Sequence, residues 1–226
     1  MRDMREALQI AGRSLRENLG PMLMLQVFAA ALVAAYLWVP NVAEILSPVG
    51  EGHRLHFVLG TFANRLVFCG LLPGLVLWAF PALRPRRCLL TLAVETLWCA
   101  SLGLVCEYFT RFQAFLFGDV RAPGVLLVKT LVDQLGFSAV VTVPLNAVFF
   151  FWIASDMSAS LARRRWPTNA LMRIYLPNLL CNWVVWGPVN YLVYVFPQAL
   201  QVQMGGLIGS FYVLLCLRLG TNGRRP

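Results

Sequence analysis

Charge is what this chain has least of. Only 13% of its 226 residues are charged, about half the roughly 25% of a typical soluble domain. A soluble fold of this length could not clothe its surface with so few charges. No P-loop, G-x-S-x-G or H-E-x-x-H motif occurs, so the common phosphate, acyl-transfer and zinc-protease chemistries have no signature here. The six cysteines (Cys69, Cys88, Cys99, Cys106, Cys181 and Cys216) show no C-x-x-C or other ligand spacing. They read as small buried hydrophobes, neither a metal site nor a disulfide framework. Internal repeats are absent, which leaves the inverted-repeat plan of many transporters without support. A convincing cleavable signal is absent as well. About twenty mixed-charge residues precede the first apolar run, and that run is long enough to span by itself.

What is present is apolar. Hydrophobic residues make up 59% of the chain and aromatics 12%, with a mean hydropathy of +0.68. Disorder is excluded, because disordered chains are poor in both. The composition specifies an integral membrane protein.

Six apolar runs cover 22–39, 66–83, 88–109, 125–154, 174–196 and 199–217. Each is long enough for a helical span of roughly 20 residues. Helices satisfy their own backbone in hydrocarbon, and the alternation of barrel strands is missing. The expected fold is therefore all-α: a polytopic transmembrane helix bundle of about six spans, forming a single membrane domain over 1–226. The segment 54–65 is alternatively an extension of the second helix.

The net charge is +9. In a soluble protein that excess would suggest nucleic acid, but here the arginines sit between apolar runs. With the N-terminus inside, the inner segments carry Arg2, Arg5, Arg13, Arg16, Arg84, Arg86, Arg87, Arg163, Arg164, Arg165, Arg173, Arg218, Arg224 and Arg225. The outer ones carry only Arg54, Arg65, Arg111 and Arg121. This asymmetry places both termini on the inner side. Lipid headgroups, not nucleic acid, are the expected partners of these arginines.

Polar residues inside the runs are the functional candidates. Lys129 and Asp133 lie four apart and can pair on one helix face, with Gln134 beside them. The bland alternative is an interfacial pair with Lys129 snorkelling. Glu95 has no opposite charge within a turn and should face the bundle interior, near water or a cation from another helix. Glu95, Cys99, Leu102 and Cys106 share a face. Glu107 and Arg111 read as a structural ion pair. Asn178, Asn182 and Asn190 form a stripe in the fifth run, interrupted by Pro188, which clashes with the carbonyl of Val184 and should kink the helix. Gln198, Gln201, Gly205 and Gly209 occupy one sector of the sixth run, with Gly205 and Gly209 as a small-xxx-small packing contact. The short turn at Pro197 makes these two runs antiparallel neighbours, so the Asn stripe should meet the Gln/Gly face. Such residues are either a polar lining or interhelical glue. His53 and His56 form an H-x-x-H without a carboxylate helper, a poor metal site in a solvated loop.

From about residue 84 to 218 the order of features resembles the 22-kDa peroxisomal membrane protein family, which includes the Mpv-seventeen protein. Arg86-Arg87 before an apolar helix ending in Tyr108-x-x-Arg111 is similar to the family's first matching span. Lys129-x-x-x-Asp133-Gln134 resembles its K-x-x-x-D-Q element. Asn182-Trp183-x-x-Trp186-Gly187-Pro188 resembles its N-W-x-x-W-P, and Phe196-Pro197 with Phe211-Tyr212 resembles its V-P and W-N-x-Y-L-S. Leu15-Arg16-Glu17-Asn18 before Pro21 faintly echoes the N-terminal pattern. The chain differs in Gly187 between Trp and Pro, in Gln201 where the family tends to have Arg, in Ala139 where a Pro follows D-Q, in lacking the closing W-N, and in the additional span 66–83. The resemblance implies a small multi-pass protein of an organelle membrane, mitochondrial inner or peroxisomal, or of a bacterial cytoplasmic membrane. It also implies weakly selective passage of small metabolites. Lys129, Asp133, Gln134, Asn182, Trp186 and Pro188 would be its motif residues, none of them catalytic.

The expected function is a pore or channel passing small hydrophilic solutes, lined by Glu95, Asp133, Asn182 and Asn190 and shaped by Gly187-Pro188. The rival is a non-conducting scaffold or assembly protein with every polar group paired between helices. An intramembrane enzyme ranks last, because no nucleophile–base pair is evident. No cofactor or metal is expected. The expected partners are lipids, small solutes, and a second copy of the chain in a homo-oligomer.

Overall fold

The computed structural model describes residues 2–17, 19–39, 41–45, 56–79 and 88–209. The chain is all-helical, and no strand occurs among the described residues. Helix α1 (Arg2–Glu17) leads into α2 (Leu19–Trp38). Helix α3 runs through Phe57–Arg65, a wide turn at Leu66–Leu71, and Leu72–Ala79. Helix α4 is Cys88–Phe117. Helix α5 runs through Pro123–Leu131, a wide segment Val132–Thr142, and Val143–Ala154. The short α6 (Ala159–Arg165) is capped by the Ser158 hydroxyl, which accepts from the Leu161 amide. Helix α7 comprises a wide turn at Leu171–Tyr175 followed by Leu176–Val193, and α8 covers 198–209.

Among the described residues three helices are long and apolar enough to cross a membrane: Phe57–Leu75, Leu89–Phe117 and Pro123–Ala154. Leu23–Trp38 is a shorter apolar helix. Only 17%, 22% and 22% of the three apolar stretches is buried, so most of their apolar surface faces outward, as a lipid-facing helix requires. Their charged residues turn the other way: Glu95, Glu107, Lys129 and Asp133 are all buried.

The boundaries differ from the hydropathy runs in instructive ways. The second helix begins at Phe57 rather than 66, which is the extended alternative, and so takes in Arg65. The third continues to Phe117 rather than 109 and takes in Arg111. At 1.5 Å per residue its 30 residues span about 45 Å. Arg65 and Arg111 are therefore helix residues and not part of an outer loop. Helix α7 matches the fifth run in place, but its three asparagines lower its mean hydropathy. Residues 80–83 of the second run, 210–217 of the sixth, and Arg54, Arg84, Arg86, Arg87, Arg218, Arg224 and Arg225 lie outside the described residues, as do His53, Asn18 and the Phe211-Tyr212 pair.

Each of the three wide turns is followed within two residues by a proline: Pro73, Pro144 and Pro177. Proline brings no N–H and its ring presses on the carbonyl four residues earlier, so the preceding turn opens. In hydrocarbon a freed carbonyl needs a donor from elsewhere. Pro73 frees Cys69, whose carbonyl accepts from Thr96 Oγ1 of α4 at 3.2 Å. In the wide segment of α5, the Gln134 carbonyl accepts from Trp183 Nε1 at 2.9 Å and the Ala139 carbonyl from Tyr175 Oη at 2.8 Å, both from α7.

The apolar core joins α2, α7 and α8. Leu25 and Ala29 pack against Val185, Val189, Val193 and Ile208. Val33 packs against Phe196, Leu200 and Met204. Stacked rings hold α4 to α5, Trp98 on Phe149 with centroids 4.3 Å apart and Phe109 on Phe137 at 4.1 Å. The amphipathic α1 lies against α7 and buries Ala7 and Ala11.

Candidate functional site

Helices α3, α4, α5, α7 and α8 surround a partly open cavity of about 210 Å³. Its polar wall includes Glu95 from α4, Asp133 from α5, Asn182 and Asn190 from α7, and Gln201 from α8. Two of the three stripe asparagines thus meet Gln201, Gly205 and Gly209 of the expected Gln/Gly face across this space, and Trp186 borders it too. Glu95, Cys99, Leu102 and Cys106, four residues on one face of α4, all line it.

Asp133 is the most fully engaged group in the wall. Its Oδ2 accepts from Asn190 Nδ2 at 2.9 Å and from Tyr194 Oη at 2.7 Å. Its Oδ1 accepts from Ser138 Oγ at 2.8 Å. The Ser138 contact is five residues along the chain, a spacing that stacks only where the helix is widened. Beside it, Gln134 Oε1 accepts from Asn182 Nδ2 at 3.1 Å.

Lys129 and Asp133 do not pair. The wide segment begins at Val132, so residues four apart across that boundary no longer stack as in an α-helix. Lys129 instead turns to the end of α4, where its Nζ donates to the Gly118 carbonyl at 2.7 Å. Gln113 Nε2 donates to the Lys129 carbonyl at 2.9 Å. Lys129 is buried rather than snorkelling, and it secures the α4–α5 turn.

Asn178 also falls away from the site. At 100° per residue, Asn182, Trp186, Asn190, Val193 and Tyr194 fall in one sector of α7, and Asn178 sits roughly 100° from its centre. It is exposed, and its Nδ2 donates to the Ile174 carbonyl of its own helix at 2.7 Å. Pro188 is exposed and helix α7 continues through it. Gln201 Nε2 caps the preceding turn at the Phe196 carbonyl, 3.0 Å away. Gly205 is not the close packing contact expected of it, because a Cβ there would meet nothing within 4 Å. The close approach is at Gly206, where a Cβ would overlap the Asn64 side chain.

Glu107 pairs with Arg111, Nε to Oε1 at 2.5 Å, and its Oε1 also takes a 3.4 Å bond from Gln198 Nε2. Arg111 lies over the Phe57 ring at 4.2 Å.

Arg65 is the cavity residue that reading the runs missed. It enters the wall from the middle of a candidate span, and its guanidinium lies among the thiols of Cys69, Cys99 and Cys106. Gly103 gives it room: a Cβ there would stand 2.7 Å from Arg65 Nε. Its terminal nitrogen reaches toward Gly209. The signal that could have found it was Arg65 and Cys69 at helical spacing directly before an apolar run. The cysteines are correspondingly more than space-fillers, since three of them line the cavity beside Arg65. Among the described residues no cluster of three or more His, Cys, Asp or Glu is placed to hold a metal ion. No protein-family model, curated protein or solved structure matches this chain.

Proposed function

We propose that the protein is a multi-pass membrane pore for small hydrophilic solutes, with the five-helix cavity as part of its path. The observation that carries this reading is the convergence of Arg65, Glu95, Asp133, Asn182 and Asn190 from four helices on one partly open space. Burying so many polar groups among outward-facing apolar helices is costly unless they serve a wet or solute-filled cavity. The resemblance to the 22-kDa peroxisomal membrane protein family through Lys129, Asp133, Gln134, Asn182, Trp186 and Pro188 points the same way. In this reading α2, α7 and the helix beginning at 198 complete about six spans, both termini lie on the arginine-rich inner side, and the host is an organelle or bacterial cytoplasmic membrane. Lipids and small solutes are the partners, self-association into a homo-oligomer is compatible with it, and no catalytic step is involved.

The second reading is a non-conducting scaffold. It is favoured by Asp133, whose three donors from the protein take up most of its acceptor capacity. Flux across liposomes containing the purified protein separates the two. The pore reading expects solute efflux and conductance above empty liposomes, altered in rate or ion preference by Asp133→Ala and Glu95→Gln. Conduction equal to empty liposomes would sink it. Conduction that neither substitution changes would sink the assignment of the lining.

A further inference from the structure

The charges within these helices are not equally spent. Asp133 is held by three donors. Glu107 is held by Arg111 and Gln198, and Lys129 by the Gly118 carbonyl. Two groups remain. Glu95 is 6% exposed, takes no hydrogen bond from the described residues, and its Oε2 is buried without a partner. Arg65 touches the Cys69 thiol, but no carboxylate among the described residues lies within ion-pair distance of it.

These two opposite charges line the same cavity, together with Cys99. They come from different helices and still do not neutralise each other. An unpaired buried carboxylate or guanidinium is strongly unfavourable in an apolar setting. A separated pair of opposite sign in one cavity is complementary to a molecule that carries both signs. The rest of the wall sets the size and character of that molecule. At about 210 Å³ the cavity is below the roughly 300–1,000 Å³ of sites for drug-sized ligands. The same cavity is lined by Trp98, Leu102, Phe109, Phe137 and Phe150, which suit an apolar side chain.

We infer that the cavity binds a small zwitterion of amino-acid size, its carboxylate on Arg65 and its ammonium on Glu95, with an apolar side chain against the aromatic wall. Gly103 is the positioning residue, because its lack of a side chain lets the guanidinium lie against α4 and face the cavity. The inference names the solute class for the pore reading, but it needs only binding, so the two can fail separately.

The test is calorimetric titration of the detergent-purified full chain with glycine, L-valine and L-phenylalanine. It includes two analogues of valine that each lack one charge, 3-methylbutanoate and isobutylamine. At least one of the amino acids should bind, and L-valine should bind at least tenfold more tightly than either analogue. Glu95→Gln should weaken L-valine at least tenfold and leave 3-methylbutanoate unchanged. Arg65→Gln should weaken L-valine likewise and leave isobutylamine unchanged, while Arg65→Lys should retain part of the affinity. If Arg65→Gln fails to fold, the wild-type analogue series still decides. No binding by any of the three amino acids overturns the inference, as does 3-methylbutanoate binding as tightly as L-valine. Flux in liposomes without amino-acid binding overturns this inference and keeps the pore. Binding without flux keeps this site and removes the pore.

Discussion

Gln26 of α2 donates its side-chain amide to the backbone carbonyl of Val184 in α7, 2.9 Å away and 158 residues distant in sequence. Val184 is the residue four before Pro188, so its carbonyl is the one whose helical partner proline removes. The gap is filled from a neighbouring helix, one of the ways a proline is accommodated within lipid. A polar residue that looks incidental in an apolar run thus completes the backbone of another helix.

Removing that donor should cost stability conditionally. We expect Gln26→Ala to destabilise the protein by about 1–3 kcal/mol, the penalty for a carbonyl left unmatched in an apolar surrounding. In a Pro188→Ala background, where residue 188 supplies its own N–H, the same change should cost at most about 0.5 kcal/mol. A double-mutant cycle by reversible unfolding in micelles measures the difference. Equal costs in both backgrounds would refute the compensation.

Asp133 ties α5 to α7 through Asn190 and Tyr194. Tyr194→Phe removes one donor and should cost about 1.5–3 kcal/mol, typical of a hydrogen bond to a charged group. Asp133→Ala leaves three donors facing nothing and should cost more, about 3–5 kcal/mol. Unfolding of the two variants side by side gives the order, and a milder Asp133→Ala contradicts the caged carboxylate.

Two adjacent glycines should behave oppositely. Gly206→Ala drives a methyl into Asn64 and should destabilise by about 1–3 kcal/mol through overpacking. Gly205→Ala meets open space and should be neutral or stabilising by up to about 1 kcal/mol, since alanine favours the helix. Thermal unfolding of both variants is the check. The reverse order would move the α3–α8 contact to the other residue.

Gly103→Ala places a methyl 2.7 Å from Arg65 Nε. The long arginine side chain can swing away, so folding should be little affected while the guanidinium leaves its place in the wall. The expected result is a monodisperse protein with solute flux reduced at least several-fold. Unchanged flux from a folded Gly103→Ala protein removes Arg65 from the path.

Much of this architecture could be read directly from residue order. Long apolar runs call for helices because the backbone must pair with itself in lipid, and a charge such as Glu95 must then turn inward. The four- and seven-residue spacings of Glu95, Cys99 and Cys106 already placed them on one face, and the short turn at Pro197 already set α7 beside α8. The widened turns before Pro73, Pro144 and Pro177 were not anticipated from the sequence. Helix ends were harder. Arg65 and Arg111 resemble the ends of runs, because hydropathy penalises a charge whether it faces water or a protein cavity.

Residue order alone therefore called for an all-helical chain with segments long and apolar enough to cross a membrane, because solvent and lipid act on each segment locally. Partnership was decided only by the tertiary structure. It put Asp133 in a cage rather than beside Lys129, turned Asn178 outward, gave Val184 to Gln26, and left Arg65 and Glu95 in one cavity with neither neutralised. These outcomes depend on how helices distant in sequence are rotated and wound against one another, and a widened turn at Val132 changes that phase in a way no local spacing records.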